Sequence, residues 1–229
     1  MEISKEQKWA NEIKRQLDSG RYPKWPHEVM VKVLFGGSNY TAQPVAPLPT
    51  WRVLDVGCLF ANNLLPFSEI GCDCYGCDIH PEITAISSQV ADHRGIKAAF
   101  DVGSNRSLPY PDEFFDLVLS IGTIHYEGSA ELVRDALNEF RRVLKPGGFL
   151  FISTTGPKHK LFQRAVSLGE NKYRIQGFDF RNDQVFFFFE EEECLLQYLE
   201  AQYVSADVGR VTEKHMHYTF DAFFGLCRR

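Results

Sequence analysis

LDVGCLFANN, residues 54–63, is the stretch on which the fold turns. A short apolar run with Asp55 near its end passes through Gly57 into Asn62 and Asn63, two good helix N-cap residues, with Pro66 acceptable in the first helical turn. This is the layout of a strand feeding a loop that cradles a nucleotide-like ligand, with the amide-rich start of a helix aimed at it. Leu59 and Ala61, however, stand where such loops usually carry glycine. A Cβ at a position of positive φ costs about 1 kcal/mol, and the isobutyl group of Leu59 is large enough to enter the ligand's space. The expectation is that the loop shifts modestly and still binds; the alternative is a fold that persists with Leu59 closing the site.

Working outward, strand and helix signals alternate from Trp51 onward. WRVLDV and CDCYGCDI are short runs bounded by turn residues, while FFDLVLSI and FLFIST are continuously apolar, as strands buried on both faces tend to be. The clearest helix covers residues 129–144, with Leu132, Val133, Leu137, Phe140, Val143 and Leu144 on one side and Pro146-Gly147-Gly148 as its stop signal. Alternation of this kind implies a mostly parallel sheet covered on both faces, with ligands beyond the carboxyl ends of the strands. Asp78 ends the second strand, where an acidic side chain is placed to accept hydrogen bonds from two ribose hydroxyls.

Helices are expected over residues 3–19 and 27–35, followed by a proline-rich loop that leads into the sheet. In the tail, HKLFQRAVSLG reads as helical, QVFFFF as extended and EEEECLLQYLEAQ as helical, with two final runs suited to a closing hairpin. Glu190 to Glu193 read as the acidic first turn that complements a helix dipole.

Composition narrows the function. The chain has 229 residues, 44% of them apolar and 14% aromatic, which is enough for an ordinary core in one domain. A net charge of -5 and the lack of a basic run argue against a nucleic-acid partner. No stretch approaches the roughly 20 apolar residues of a membrane span, and the charged N-terminus lacks an apolar signal core. A cytoplasmic protein with reduced cysteines is expected.

The ordered motifs resemble those of the class I S-adenosylmethionine-dependent methyltransferases, especially their small-molecule members, over residues 51–153. VLDVGCLFA resembles the family's first motif, whose acidic residue and glycine loop surround the methionine part of the cofactor; the positions implied are Asp55, Gly57, Cys58, Leu59 and Ala61. GCDIHPE resembles the second, implying Asp78 on the ribose and Ile79 beside the adenine. In GSNRSLPYPDEFFDLVLSIGTIHY, similar to the third and fourth blocks, Gly103, Ser104 and Asn105 fall at the adenine edge, and Ser120 to Gly122, Ile121 included, form the floor below the sulfonium. RRVLKPGGFLFIS resembles the closing helix and fifth strand. The resemblance implies an α/β, Rossmann-like fold: a seven-stranded, mostly parallel sheet with an antiparallel last strand and helices on both faces. It also implies one domain, with residues 1–45 as a helical lid, 51–154 as the cofactor-binding core and 155–229 as a substrate-side addition. S-adenosylmethionine would be the cofactor and S-adenosylhomocysteine the product, with the acceptor's specificity residing in residues 1–45 and 155–190.

Methyl transfer asks the protein chiefly to hold a nucleophile in near-attack geometry and to exclude water, with a base needed for a hydroxyl acceptor. His125, just past the fourth strand, is the candidate base, with Tyr126 beside it. SIGTIHY lacks the Asn/Asp-Pro-Pro-aromatic block generally found in methyltransferases of nucleobase amino groups, and with the acidic charge this points to a small-molecule acceptor, an oxygen of a sugar-like or secondary metabolite. Cys72, Cys74, Cys77 and His80 have a spacing that could describe zinc, but alternating strand side chains diverge, so no metal is expected. Nicotinamide chemistry would need a G-x-G-x-x-G loop, which GCLFAN does not supply.

Overall fold

The computed structural model describes residues 3–43, 45–177 and 179–229. Helix α1 spans Lys5–Asp18 and α2 spans Glu28–Phe35, after which strand β1 (Arg52–Val56) enters the sheet. There follow α3 (Leu65–Glu69), β2 (Asp73–Asp78), α4 (Pro81–Arg94), β3 (Ala98–Val102), β4 (Phe115–Ile121), α5 (Ala130–Val143) and β5 (Leu144–Thr155). The remainder comprises α6 (Lys160–Gln163), β6 (Ala165–Gly169), β7 (Lys172–Ile175), β8 (Val185–Phe187), α7 (Glu192–Glu200), β9 (Ser205–His215) and β10 (Tyr218–Arg228).

Seven strands form the main sheet in the order β3-β2-β1-β4-β5-β10-β9. The first five are parallel, and β10, last in sequence, runs antiparallel to both β5 and β9. This is the expected α/β, Rossmann-like sheet with its antiparallel last strand. Strand order reverses at β1, which lies between β2 and β4, so a crevice opens beyond the carboxyl ends of these strands.

Alternation along the strands divides the core between the two faces. Leu54, Val118, Leu150 and Phe223 pack with α5 and α7, through Val133, Leu137, Phe140, Leu195 and Leu199. Val53, Leu117, Leu119, Phe151 and Phe224 pack on the other face against Met30 and Leu34 of α2 and Phe67 of α3. Each fully buried side chain of this size contributes about 1.5–3 kcal/mol, so the two layers fix the register of β1 and with it the height of Asp55 and the loop beyond. Ser129 caps α5 by accepting from the Leu132 amide, as its position before the helix predicts.

The tail departs in part from its reading. HKLFQRAVSLG is one short helix, α6, followed by β6, which joins β7 and β8 in a separate three-stranded sheet. Ser167, Leu168 and Gly169 are exposed, so this segment has no apolar face with which to dock as a helix. Phe186 to Phe189 are all buried and alternate between two cores: Phe187 and Phe189 enter the α5–α7 layer, while Phe186 and Phe188 pack with Leu161, Tyr173 and Ile175 of the small sheet. Thus the small sheet is stitched to the main body by four consecutive rings. The expected closing hairpin is present as β9 and β10.

Candidate active site

A cavity of about 640 Å³ lies beyond the carboxyl ends of β1, β2 and β4, a size suited to a small-molecule site. Its floor is the turn Ile121-Gly122-Thr123, and a Cβ added to Gly122 would meet nothing within 4 Å, so the cavity approaches bare backbone there. Gly57, at φ +74°, is demanded from the opposite side: a Cβ would sit 2.3 Å from Thr123 Cγ2. The first loop and the floor are therefore in contact only because residue 57 is glycine.

Leu59 and Ala61 occupy left-handed backbone, at φ 44° and 56°, so the loop keeps glycine-like conformations at both positions. The cost of roughly 1–2 kcal/mol per residue is offset locally. Leu59 donates its amide to Asp78 Oδ2 at 3.3 Å, the Ser87 hydroxyl donates to the Leu59 carbonyl, and the Ala61 amide bonds Cys58 O at 2.7 Å. Leu59 lines the cavity but also packs against the cluster of Ala10, Ile13, Phe60, Ile83 and Val90 between α1 and α4. Ala61 is fully buried on the sheet side and does not line the cavity.

Asp78 faces the cavity while nearly buried, and its Oδ1 accepts from the Ile79 amide at 2.8 Å. Burial raises its pKa to about 6, and the Ile79 and Leu59 amides keep it from rising further, so it is an acceptor at neutral pH. Beside it Ile79 is 47% exposed, an uncovered apolar surface at the edge of the cavity. Asp55 lies one layer deeper and does not line the cavity; neither carboxylate oxygen has a partner at full hydrogen-bond geometry, and burial pushes its pKa up to about 8, opposed by the nearby Asn63 side chain. A diol-accepting carboxylate, an apolar edge and a floor without side chains fit a nucleoside with an attached chain.

Other expected residues divide. Gly103, Ser104 and Asn105 line the cavity, and the amide of Asn105 is already engaged, donating to Glu127 Oε1 at 2.8 Å and Thr123 O at 3.3 Å. Ser120 is fully buried behind the floor, sharing a hydrogen bond with Thr123 Oγ1 at 2.8 Å, and Cys58 is buried with its thiol toward Ser87. Asn62 and Asn63 do not cap α3; Asn62 donates to Trp25 O, and Asn63 accepts from the His27 amide, tying the loop to the start of α2. Cys77 packs on the face opposite Cys72 and Cys74, and His80 caps α4; among the described residues no three His, Cys, Asp or Glu side chains gather to hold a metal.

His125 is the main correction. It is buried behind Tyr126, stacked among Tyr126, Phe186 and Phe188, and does not line the cavity. Burial lowers its pKa to about 3, with the charge of Arg181 adding to the effect, so it is a neutral packing imidazole and a poor base. Tyr126 does line the cavity, and its hydroxyl accepts from Arg181 Nε at 2.8 Å.

The far wall comes from the two expected segments: Lys5, Glu6 and Trp9 of α1, and Arg181, Gln184 and Val185 ahead of and within β8. The other N-terminal helix, α2, is not over the cavity but in the sheet core. Arg181 and Gln184 were not legible beforehand, because isolated polar residues in a loop carry no periodic or motif signal. No helix among the described residues is long and apolar enough to cross a membrane.

A methyltransferase domain model matches residues 54–152. An uncharacterized methyltransferase of Bacillus subtilis, YcgJ, is 32% identical over 118 residues, covering 51% of this chain and 46% of that protein. A human probable tRNA methyltransferase 9B is 35% identical over 104 residues, covering 45% of this chain and 21% of that protein. The chain thus spans about half or less of the length of these relatives. Among solved structures, 1,6-didemethyltoxoflavin-N1-methyltransferase of Burkholderia thailandensis, determined with 1,6-didemethyltoxoflavin and S-adenosylhomocysteine bound, aligns over 100% of this chain and 92% of its own with a TM-score of 0.64 at 15% identity. The human relative removes the basis for excluding nucleic acid: an acidic net charge does not separate this domain from a protein named for tRNA.

Proposed function

We propose, from the premise that residues 54–152 are a class I methyltransferase domain, that the protein transfers a methyl group from S-adenosylmethionine to a small-molecule acceptor, at an oxygen of a sugar-like or secondary metabolite. The observation that carries this reading is Asp78, a buried carboxylate at the tip of β2 opening onto a cavity whose floor is bare backbone at Gly122. When bound, the cofactor supplies a methyl group already activated by the sulfonium.

The chain's residues then bind, orient and exclude water. Asp78 would take the ribose hydroxyls, Ile79 and the turn at Gly103 to Asn105 the adenine, and the loop from Gly57 to Leu59 the methionine chain. Trp9 and Tyr126, 5.5 Å apart edge to face, would wall the acceptor in and keep water from the floor. With His125 sealed in the core, no imidazole among the described residues lines the cavity; the chain positions the acceptor oxygen, and the proton it loses on methylation passes to solvent water.

The test is transfer of labelled methyl from S-adenosylmethionine to a panel of phenols, hydroxy acids and sugars, with bulk tRNA included because of the human relative. Label appearing in an oxygen-methylated small molecule is expected; label in tRNA alone would overturn the acceptor reading.

A further inference from the structure

The wall of the cavity holds a cation, Arg181, whose terminal nitrogens form no ion pair among the described residues. Arg181 sits in the 3-10 turn Asp179–Arg181, which the small sheet brings over the carboxyl end of the main sheet. Its guanidinium carbon lies 4.3 Å from the Phe180 ring centre and 5.0 Å from that of Trp9, and its Nε is fixed on the Tyr126 hydroxyl at 2.8 Å. These contacts set the plane of the fork, and among the described residues no carboxylate pairs with its two terminal nitrogens.

Three described acids on or near this wall are hydrogen-bonded to other groups, though Glu12 also feels the charge of Arg181. Glu12 is held by Arg15 and Gln16, and Glu127 by Arg106 and Asn105. Glu6 is held by its own backbone amide and the Ser4 hydroxyl. Half-buried among rings, with one nitrogen spent on positioning, a guanidinium is preorganised for a planar or tetrahedral oxyanion, which it grips with two parallel hydrogen bonds. Around it the wall combines the apolar Trp9, Leu132 and Val185 with the polar Lys5, Glu6 and Gln184.

Resting on the methyltransferase reading of the same cavity, we infer that the acceptor is an anion, a small molecule with an apolar body and a carboxylate or phosphate group, and that Arg181 anchors this group. The acceptor's charge is thereby held on the wall formed by α1 and the turn before β8. A neutral molecule of the same shape would leave the fork without its partner.

The test titrates the protein, saturated with S-adenosylhomocysteine, with benzoate, phenyl phosphate and neutral benzamide, followed by saturation-transfer NMR and calorimetry. At least one anion is expected to bind tenfold or more tightly than benzamide, and comparison of the two anions identifies the favoured group. Arg181→Met is expected to weaken the anion tenfold or more and leave S-adenosylhomocysteine affinity unchanged, which also establishes that the variant is folded; Arg181→Lys is expected to fall between. Benzamide binding as tightly as the anions, or unchanged anion binding in Arg181→Met, overturns the inference. Loss of S-adenosylhomocysteine affinity in Arg181→Met overturns it too, by placing the guanidinium on the cofactor. If the unmodified protein binds no S-adenosylhomocysteine, the same titrations on the free protein separate the two ideas: Arg181-dependent anion binding then sustains the anion site while the methyl-transfer reading falls.

Discussion

The two ends of the cavity are built by different means. At the cofactor end the tips of β1 and β2 and the turn after β4 bring backbone to the surface, and their side chains are few, buried and conformationally fixed: Gly57 against Thr123, Asp78 on two amides, Gly122 bare. At the acceptor end the wall is assembled from α1 and the segment before β8, far apart in sequence, and consists of aromatic rings and charged side chains held by one another. The first end is set by the register of a parallel sheet, and so its geometry survives even with Leu59 and Ala61 in left-handed backbone. The second depends on docking of peripheral elements and is free to vary without disturbing the core.

The contrast is broken most directly at Asp78. Replacing it with Ala removes the acceptor for the Leu59 and Ile79 amides and, on the proposed reading, for the ribose, and is expected to weaken S-adenosylhomocysteine binding by about 10- to 100-fold, the value of one or two hydrogen bonds to a charged group. Because Asp78 titrates near 6, affinity in the unmodified protein should also decline as pH falls through that value. A calorimetric pH series checks both, and unchanged affinity in Asp78→Ala would show that the carboxylate is structural.

Asp55 sharpens the comparison from beneath. With a folded pKa of about 8 against an ordinary 3.8, the folded state retains a proton that the unfolded chain has released. Stability therefore falls as pH rises from about 4 through 8. Asp55→Asn should flatten that decline and raise stability at pH 8 by several kcal/mol, at most about 6 kcal/mol for a shift of this size, read from urea denaturation at several pH values. An unchanged slope would mean that the buried carboxyl finds a donor.

At the acceptor end, Trp9→Ala should raise the acceptor's KM by about tenfold, equivalent to ~1.4 kcal/mol, while S-adenosylhomocysteine affinity stays the same. A parallel loss at both ends would mean that α1 closes the entire cavity. The smallest effect is expected for Leu59→Gly, where relief of left-handed strain and loss of packing on α1 are opposed, each worth about 1 kcal/mol. Thermal melts should place this variant within about 1 kcal/mol of the unmodified protein.

The same division decides what could be read from sequence. Asp55, Gly57 and Asp78 sit at or just past strand ends whose position follows from apolar runs and turn residues, so the sheet and the rim of the cavity at the strand ends were legible. The placement of His125 was not, because nothing local indicates that Phe186 and Phe188, some sixty residues downstream in sequence, close over it. Segment 159–169 failed for a related reason: its helical composition is overridden by pairing of β6 with β7. Arg181 gave no signal at all, since its role arises only when the small sheet carries it to Trp9 and Tyr126.

The central claim, that the cofactor end is intact despite Leu59 and Ala61, is tested most directly by calorimetric titration with S-adenosylhomocysteine of the unmodified chain and of a Leu59→Gly, Ala61→Gly double variant. Single-site micromolar binding by the unmodified chain is expected, changed little in the double variant. No binding by the unmodified chain at millimolar ligand, with binding restored in the double variant, would contradict it and mean that the two side chains have closed the site.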